Sequence, residues 1–133
     1  MTTSIFVNLP VADLPASKAF FTSLGFSFNA QFTDETAAAL VIDDSIYFML
    51  LTKPKFSEFI TLPIADAKQA TQALYAISRD SKLEVDEIMT AALAAGGTEP
   101  RPVQDLGFMY SRAFADLDGH IWEFLWMDPT YVQ

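Results

Sequence analysis

The sequence predicts an α+β fold in which one module, a strand followed by a helix and three more strands, occurs twice. Apolar segments bounded by turn residues come in this order in both halves of the chain, although the halves share little sequence identity. The helix caps, helix-ending glycines and hairpin turns correspond as well. The predicted architecture is therefore two βαβββ modules, whose curved mixed sheets surround a cleft.

The first module is predicted over about residues 4–52. Its opening segment, residues 5–11, is apolar and reads as a strand. A helix follows over about 14–24, with Asp13 as its N-cap and Gly25 as its end. The remaining three strands are predicted at about 27–32, 37–42 and 46–51.

The second module is predicted over about residues 71–128, after a less regular connector at about 53–70. Ser81 is followed three residues later by Glu84, which is the pattern of a capping box. The apolar spacing after it predicts a helix that ends at Gly96. The strands are predicted at about 73–78, 108–115 and 121–126, with a turn at 116–119. Because 133 residues are about the size of one domain, the sequence predicts a single domain over 1–133.

Composition excludes several classes of function. The chain has no Cys and one His, so thiol nucleophiles, disulfides, Cys-ligated zinc and any site that needs two His of one chain are excluded. Seventeen acidic residues against eight basic ones give a net charge of −9, which opposes binding to nucleic acid.

No membrane or export segment is expected. The N-terminus lacks the basic and apolar regions of a secretory signal. The longest uncharged apolar stretch, residues 46–51, is far shorter than the roughly 20 residues that a spanning helix needs. The sequence therefore predicts a cytoplasmic protein.

The strands are apolar on both faces, as residues 121–126 illustrate. A sheet with one face in water would alternate apolar and polar residues. One face is therefore expected to meet the helices, and the other to meet a second sheet, a ligand or another subunit.

The hairpin Asp116-Leu117-Asp118-Gly119-His120-Ile121-Trp122-Glu123 and the opening segment from Asn8 to Phe26 resemble the vicinal oxygen chelate superfamily. This superfamily includes glyoxalase I, bleomycin-resistance proteins and extradiol dioxygenases. The resemblance implies a cleft that is commonly shared between two subunits, and hence a homodimer. In the metal-dependent members, four inward positions on the first and last strands of the modules hold a divalent ion.

The internal repeat assigns those four positions to Phe6, Leu74, Phe48 and Glu123. A shift of one residue would replace Phe48 with Met49, which is no better as a ligand. One carboxylate among carbon side chains is not a site for a divalent cation. We therefore expect no metal and no cofactor.

Glu123 is the best candidate for a catalytic residue, since it is a carboxylate within an apolar strand. It could act as a general base or contact a ligand, or it could be a structural partner of Arg112 on the neighbouring strand. Tyr110 and Arg112 share a strand face, which either lines the cleft or belongs to an edge strand paired with a surface acid. His120, next to the turn, is expected at the surface or packed in the hairpin.

The pocket wall is expected to be apolar, with Asn8 as a polar orienting group. Trp122, Phe124 and Trp126 alternate with the wall residues and are expected beneath the helices. Leu125 is a further candidate for the wall, and any of the apolar residues could instead belong to the core. The residues predicted to bind a ligand are Phe6, Asn8, Phe48, Leu50, Leu74, Tyr110, Arg112 and Glu123.

Three hypotheses follow. The leading one is a homodimeric protein that binds a small organic molecule in an apolar cleft without a metal, as bleomycin-resistance proteins are understood to do. The alternative is an enzyme of the superfamily, a glyoxalase-type lyase, an isomerase or a dioxygenase-like protein, that uses Glu123 with or without a divalent metal. The third is a structural or regulatory module whose cleft is filled by its own side chains.

Overall fold

The strand–helix–three-strand order is present twice in the computed structural model of this protein, which describes residues 2–131. The chain divides into a first unit, Met1–Ala65, and a second unit, Asp66–Gln133. Each unit contains one four-stranded mixed sheet. The predicted fold class is thus confirmed.

The first unit contains a sheet with the strand order β1-β4-β3-β2, in which β1 runs parallel to β4 and the other neighbours are antiparallel. Its elements are β1 (Ile5–Val11), α1 (Leu14–Ser23), β2 (Ser27–Asn29), a 3₁₀ turn (Ala30–Phe32), β3 (Ala37–Asp43), β4 (Ile46–Thr52) and α2 (Lys53–Ser57).

The second unit repeats this topology with the order β5-β8-β7-β6, in which β5 runs parallel to β8. Its elements are β5 (Leu74–Ser78), α3 (Lys82–Ala94), β6 (Gln104–Asp105), β7 (Met109–Ala115) and β8 (Ile121–Met127).

The caps expected from the sequence begin both long helices. Asp13 Oδ1 accepts a hydrogen bond from the backbone N–H of Ala16 at 3.0 Å, and Ser81 Oγ accepts one from the backbone N–H of Glu84 at 3.1 Å. Each bond satisfies an N–H that has no partner within the helix. Helix α1 then packs on β3 and β4, and α3 packs on β7 and β8.

One face of each sheet, covered by the long helix, forms the core of its unit. Phe20 and Phe21 of α1 are buried and meet edge to face, with ring centroids 5.0 Å apart. In the second unit the rings of Phe114 and Phe124 are stacked at 5.8 Å, and Trp122 and Phe124 are fully buried. The prediction that Trp122 and Phe124 lie beneath the helix is confirmed. We call the opposite side of each sheet its open face.

Three short elements differ from the expectation. Residues 53–57 form helix α2 within the predicted connector, since Thr52 Oγ1 accepts a hydrogen bond from the Lys55 N–H at 3.4 Å and Pro54 fits the first turn. The second strand, predicted at about 27–32, stops at Asn29, whose side chain caps the 3₁₀ turn. Strand β6 is only two residues long, too short to show a periodic pattern.

The β7–β8 hairpin is held by a buried carboxylate. Asp116 Oδ1 accepts hydrogen bonds from the backbone N–H groups of Asp118 and His120, both at 3.0 Å, and Oδ2 accepts one from the indole Nε1–H of Trp122 at 3.0 Å. Gly119 has a φ of +93°, and a Cβ there would lie 3.0 Å from the backbone of Ala67. Only glycine fits this turn without strain.

Membrane insertion through a helix finds no support in the part of the chain that the structure describes. None of its helices has the length and apolar character needed to cross a bilayer.

Candidate functional site

A cavity of about 490 Å³ lies on the open face of the first sheet. Its wall is mainly apolar, and none of its lining side chains carries a charge. The lining residues are Ser4, Phe6, Asn8, Asn29, Phe32, Ala39, Tyr47 and Met49. Strand pairing explains why they meet, because Phe6 and Asn8 of β1 lie beside Tyr47 and Met49 of β4.

Two stacked rings form the aromatic part of this wall. Phe6 and Tyr47 have ring centroids 5.0 Å apart and planes within 10° of parallel. The Tyr47 hydroxyl donates a hydrogen bond to the backbone O of Asp44 at 2.8 Å, which holds the ring in place. Phe6 and Phe32 are 57% and 60% exposed. The cavity therefore presents aromatic surface that no protein group covers fully.

Two amide side chains give the cavity its polar groups. Asn8 Nδ2 donates to the backbone O of Phe6 at 3.3 Å, so its Oδ1 remains an acceptor. Asn29 Oδ1 accepts from the backbone N–H of Gln31 at 3.0 Å, so its Nδ2 remains a donor. The site can thus offer the Asn8 oxygen as an acceptor and the Asn29 N–H groups as donors to a bound molecule.

The structure brings Phe6 and Asn8 together in the cavity wall, but it places Phe48 and Leu50 elsewhere. Both are buried on the helix-covered face, with 4% and 0% exposure, and Phe48 pairs with Val7 rather than with Phe6. The predicted register of β4 was therefore wrong by one residue, which exchanges the two faces of a strand. Tyr47 and Met49 occupy the open-face positions.

The hairpin turns of the two modules differ in length, so equal distances from the two turns do not give equivalent positions. Two residues lie between β3 and β4, whereas five lie between β7 and β8. The β3–β4 pairing also shifts register between Val41 and Asp43. A count that suits one hairpin therefore lands on the opposite face in the other.

Glu123 lies on the open face of the second sheet, where Arg101 is its partner. Arg101 Nη2 lies 3.3 Å from Glu123 Oε2 and donates a hydrogen bond to Ser111 Oγ at 2.9 Å. The suggested pairing of Glu123 with Arg112 is wrong, because Arg112 projects from the other face of β7. Leu74 shares the open face with Glu123, and it is 57% exposed.

Tyr110 and Arg112 share one strand face as predicted, but this face is turned towards α3. The Tyr110 hydroxyl donates to Asp86 Oδ1 at 2.7 Å, and Arg112 Nη1 donates to the same oxygen at 3.0 Å. Arg112 also makes two bonds to Glu99, at 3.1 and 3.0 Å. The hydrogen bond from Tyr110 is the main cause that lowers the pKa of Asp86, and it raises the pKa of Tyr110.

His120 is half-buried in the β7–β8 hairpin, where its backbone N–H donates to Asp116. The buried group that the sequence analysis missed is Asp116 itself, only 7% exposed. Burial raises the pKa of its carboxyl group above the ordinary value. The sequence could have indicated this role, because Asp116 is the first residue of the D-x-D-G turn, and an Asp at that position commonly accepts hydrogen bonds from the backbone of the turn.

Three other residues of these faces were also missed: Tyr47, Asn29 and Arg101. Tyr47 could have been found from the strand alternation with Asn8 and Phe6 once the register was known. Asn29 and Arg101 lie at strand ends or in loops, where periodicity carries no information about direction. Only the folded chain brings them to the open faces.

The donor set does not fit the divalent ion that the superfamily's metal-dependent members hold. Phe6, Leu74 and Met49 offer no oxygen or nitrogen at the corresponding open-face positions, and Glu123 is engaged by Arg101. Within residues 2–131, no three His, Asp or Glu side chains come together in a way that could hold a metal. A zinc ion is usually held by about three or four protein ligands, and calcium takes more oxygen ligands than that.

The sequence of this chain matches one family model, and its fold matches several solved structures. Residues 3–42 match the family described as bleomycin resistance protein-like N-terminal. No curated protein matches the chain.

Several solved structures share the fold over nearly the whole chain. A hypothetical protein from S. aureus is 26% identical, with a TM-score of 0.78 and 94% of each chain covered. A glyoxalase/bleomycin resistance protein/dioxygenase family enzyme from Burkholderia phytofirmans PsJN is 16% identical, with a TM-score of 0.77 and coverage of 95% of this chain and 99% of that one. A glyoxalase-related enzyme from Fulvimarina pelagi is 21% identical, with a TM-score of 0.78 and coverage of 95% and 88%. The family match over residues 3–42 and the shared fold confirm the resemblance to the vicinal oxygen chelate superfamily that the sequence shows.

Proposed function

We propose that this protein binds a small organic molecule in the cavity of its first unit, without a catalytic metal ion. The observation that carries the proposal is the cavity itself, about 490 Å³ in volume and walled by the Phe6–Tyr47 stack and Met49. Binding sites for small molecules are typically 300–1,000 Å³, mostly apolar, with a few polar groups that orient the ligand. Asn8 and Asn29 are suited to that orienting role.

The chemistry of the donor set supports binding without a metal. An ion that prefers oxygen and nitrogen ligands gains little from Phe6, Leu74 or Met49. Glu123 already has a cation beside it, the guanidinium of Arg101 at 3.3 Å. The alternative enzyme built on Glu123 therefore has less support than the binding protein.

Methionine methyl groups provide a direct test of the cavity. Met49 lines it, whereas Met89 is fully buried in the core of the second unit. In protein labelled with ¹³C at the methionine methyl groups, a mixed library of organic fragments is expected to shift the Met49 signal and leave Met89 unchanged. The signals are assigned with Met49→Leu and Met89→Leu. If no fragment of any chemical class shifts Met49, the proposed function is wrong.

Metal binding is tested separately on the purified protein. After incubation with Zn²⁺, Mn²⁺ or Ni²⁺ and gel filtration, elemental analysis is expected to find far less than one metal per chain. A tightly held ion at about one per chain, together with a large rise in melting temperature, would overturn the metal-free proposal and favour the enzyme.

We further propose that residues 1–133 act as a single domain that forms a homodimer in the cytoplasm. The superfamily resemblance supports this assembly, and exposed apolar residues such as Phe6 and Leu74 would gain from being covered. Light scattering after size-exclusion chromatography is expected to give about twice the 14.7 kDa of one chain. A monomer at micromolar concentration would contradict the dimer but not the binding cavity.

A further inference from the structure

We propose that the ligand of the first-unit cavity is an uncharged, flat aromatic or heteroaromatic compound that carries an amide or lactam edge. This inference rests on the proposed function, and it adds the chemical class of the ligand. Three properties of the wall lead to it: the absence of charge, the parallel rings and the two amide side chains.

The first property is the absence of any charged side chain among the residues that line the cavity. A ligand charge placed against Phe6, Met49 and Ala39 would lose its hydration and gain no counter-ion. The net charge of −9 for the whole chain adds a repulsive field for anions. A cation would be attracted to the protein as a whole, but it would find no carboxylate in this wall.

The second property is the geometry of the two rings. Phe6 and Tyr47 stand nearly parallel, 5.0 Å between centroids, and the bond from Tyr47 to the Asp44 backbone holds this orientation before any ligand arrives. More than half of Phe6 remains exposed. A further flat ring can extend the stack or meet its edge, and Met49 adds a sulfur that favours aromatic neighbours.

The third property is the presence of two amide side chains in the wall, Asn8 and Asn29, which lie on the two edge strands of the sheet. The internal bonds of Asn8 and Asn29 leave the first with an acceptor oxygen and the second with N–H donors. A primary amide or a lactam presents both a donor and an acceptor, so it can bond to either side chain. An aliphatic or purely hydrocarbon ligand would leave both amide groups desolvated without partners.

The test compares one parent compound with three probes that replace its amide by a charged group or remove its flatness. 2-Naphthamide is flat, uncharged and carries the amide. 2-Naphthoate and 2-naphthylmethylammonium replace the amide with a negative or a positive charge, and decahydronaphthalene-2-carboxamide keeps the amide but is not flat. Titrations are followed by the Met49 methyl signal and by calorimetry. We expect 2-naphthamide to bind at least fivefold more tightly than each of the other three.

Two variants test whether the Phe6 ring and the Asn29 amide contribute to the affinity for 2-naphthamide. Phe6→Leu keeps apolar bulk but removes the stacking ring, and Asn29→Asp keeps the shape and the bond to Gln31 but replaces the N–H donors with an oxygen. Each is expected to weaken 2-naphthamide at least threefold. The matched control is Phe48→Leu, the same substitution on the opposite face of the sheet, which is expected to leave the affinity unchanged.

The outcomes separate this inference from the proposed function. If a charged or saturated probe binds as tightly as 2-naphthamide, or if other fragments shift Met49 while 2-naphthamide does not, the ligand class is wrong and the cavity remains a binding site. If 2-naphthamide and every other fragment leave Met49 unchanged, the proposed function fails as well. Equal weakening by Phe6→Leu and Phe48→Leu would show that stability, not stacking, controls binding, and it would overturn the role given to Phe6.

Discussion

Truncation of Phe48 and of Phe6 tests the register that separates the core from the cavity. The two phenylalanines lie on neighbouring strands but on opposite faces of the first sheet. Phe48 is 4% exposed and Phe6 is 57% exposed. Phe48→Ala is therefore expected to destabilise the protein much more strongly than Phe6→Ala.

The magnitude follows from burial. Replacing a buried Phe with Ala costs about 3–5 kcal/mol, because transfer energy is lost and a cavity remains. Phe6 buries less than half of its surface, so its truncation removes about 1 kcal/mol of transfer energy and up to about 1 kcal/mol of stacking on Tyr47. The two substitutions should thus differ by at least about 1 kcal/mol.

Urea unfolding followed by far-ultraviolet circular dichroism measures both values. Because a domain of this size is stable by only about 5–15 kcal/mol, Phe48→Ala could leave too little folded protein to analyse. Phe48→Leu then serves as the milder change, compared with Phe6→Leu in the same buffer. If Phe6→Ala costs as much as Phe48→Ala, or Phe6→Leu as much as Phe48→Leu, the assignment of the faces is wrong.

Three further predictions concern the second unit and the helix ends. Asp116→Asn places an amide N–H against the buried indole N–H, and urea unfolding should show a loss of about 1–3 kcal/mol at pH 7. Burial raises the pKa of Asp116, so its carboxyl group stabilises the fold most at a pH below its ordinary pKa, and less as the pH rises through the raised pKa. The loss of stability caused by Asp116→Asn should therefore grow towards acid pH. A loss that shrinks towards acid pH would refute this reasoning. Gly119→Ala should lower the stability by at least about 1 kcal/mol more than Gly25→Ala. Both glycines have a positive φ, but only a Cβ at Gly119 would lie 3.0 Å from the backbone, that of Ala67. Equal losses in urea unfolding would show that this contact does not matter. Tyr110→Phe should raise the pKa of Asp86 towards its ordinary value, as measured by NMR titration of the carboxyl group. The loss of stability should be below about 1 kcal/mol at neutral pH and should vanish as the pH falls through the lowered pKa of Asp86. An unchanged Asp86 pKa would show that the hydrogen bond from Tyr110 is not the cause of the shift.

Local signals in the sequence were enough to locate most secondary structure. A cap and its first helical turn lie within four residues, so Asp13 and Ser81 identify the helix starts without reference to the rest of the chain. The Asp-Gly turn before His120 likewise predicts a hairpin. The 3₁₀ turn and strand β6 escaped prediction because they are too short to repeat a pattern.

The composition and the superfamily resemblance also restrict which kinds of site the protein can form, independently of its tertiary structure. The absence of Cys and the single His are properties of the chain itself, and they restrict its sites however it folds. The apolar character of Phe6 and Leu74 at positions where the metal-dependent relatives have ligands is equally independent of geometry. These facts already favoured binding over metal-assisted catalysis.

Tertiary structure alone decided which side chains share a face and which charges meet. Alternation along β4 is apolar on both sides, so it cannot distinguish Phe48 from Tyr47, and one residue of register exchanges core for cavity. Arg101 and Glu123 are 22 residues apart, yet Arg101 Nη2 lies 3.3 Å from Glu123 Oε2, because the loop before β6 runs beside β7. Pairing across such distances depends on strand register and loop path, which is why the sequence predicted the elements and the structure decided the site.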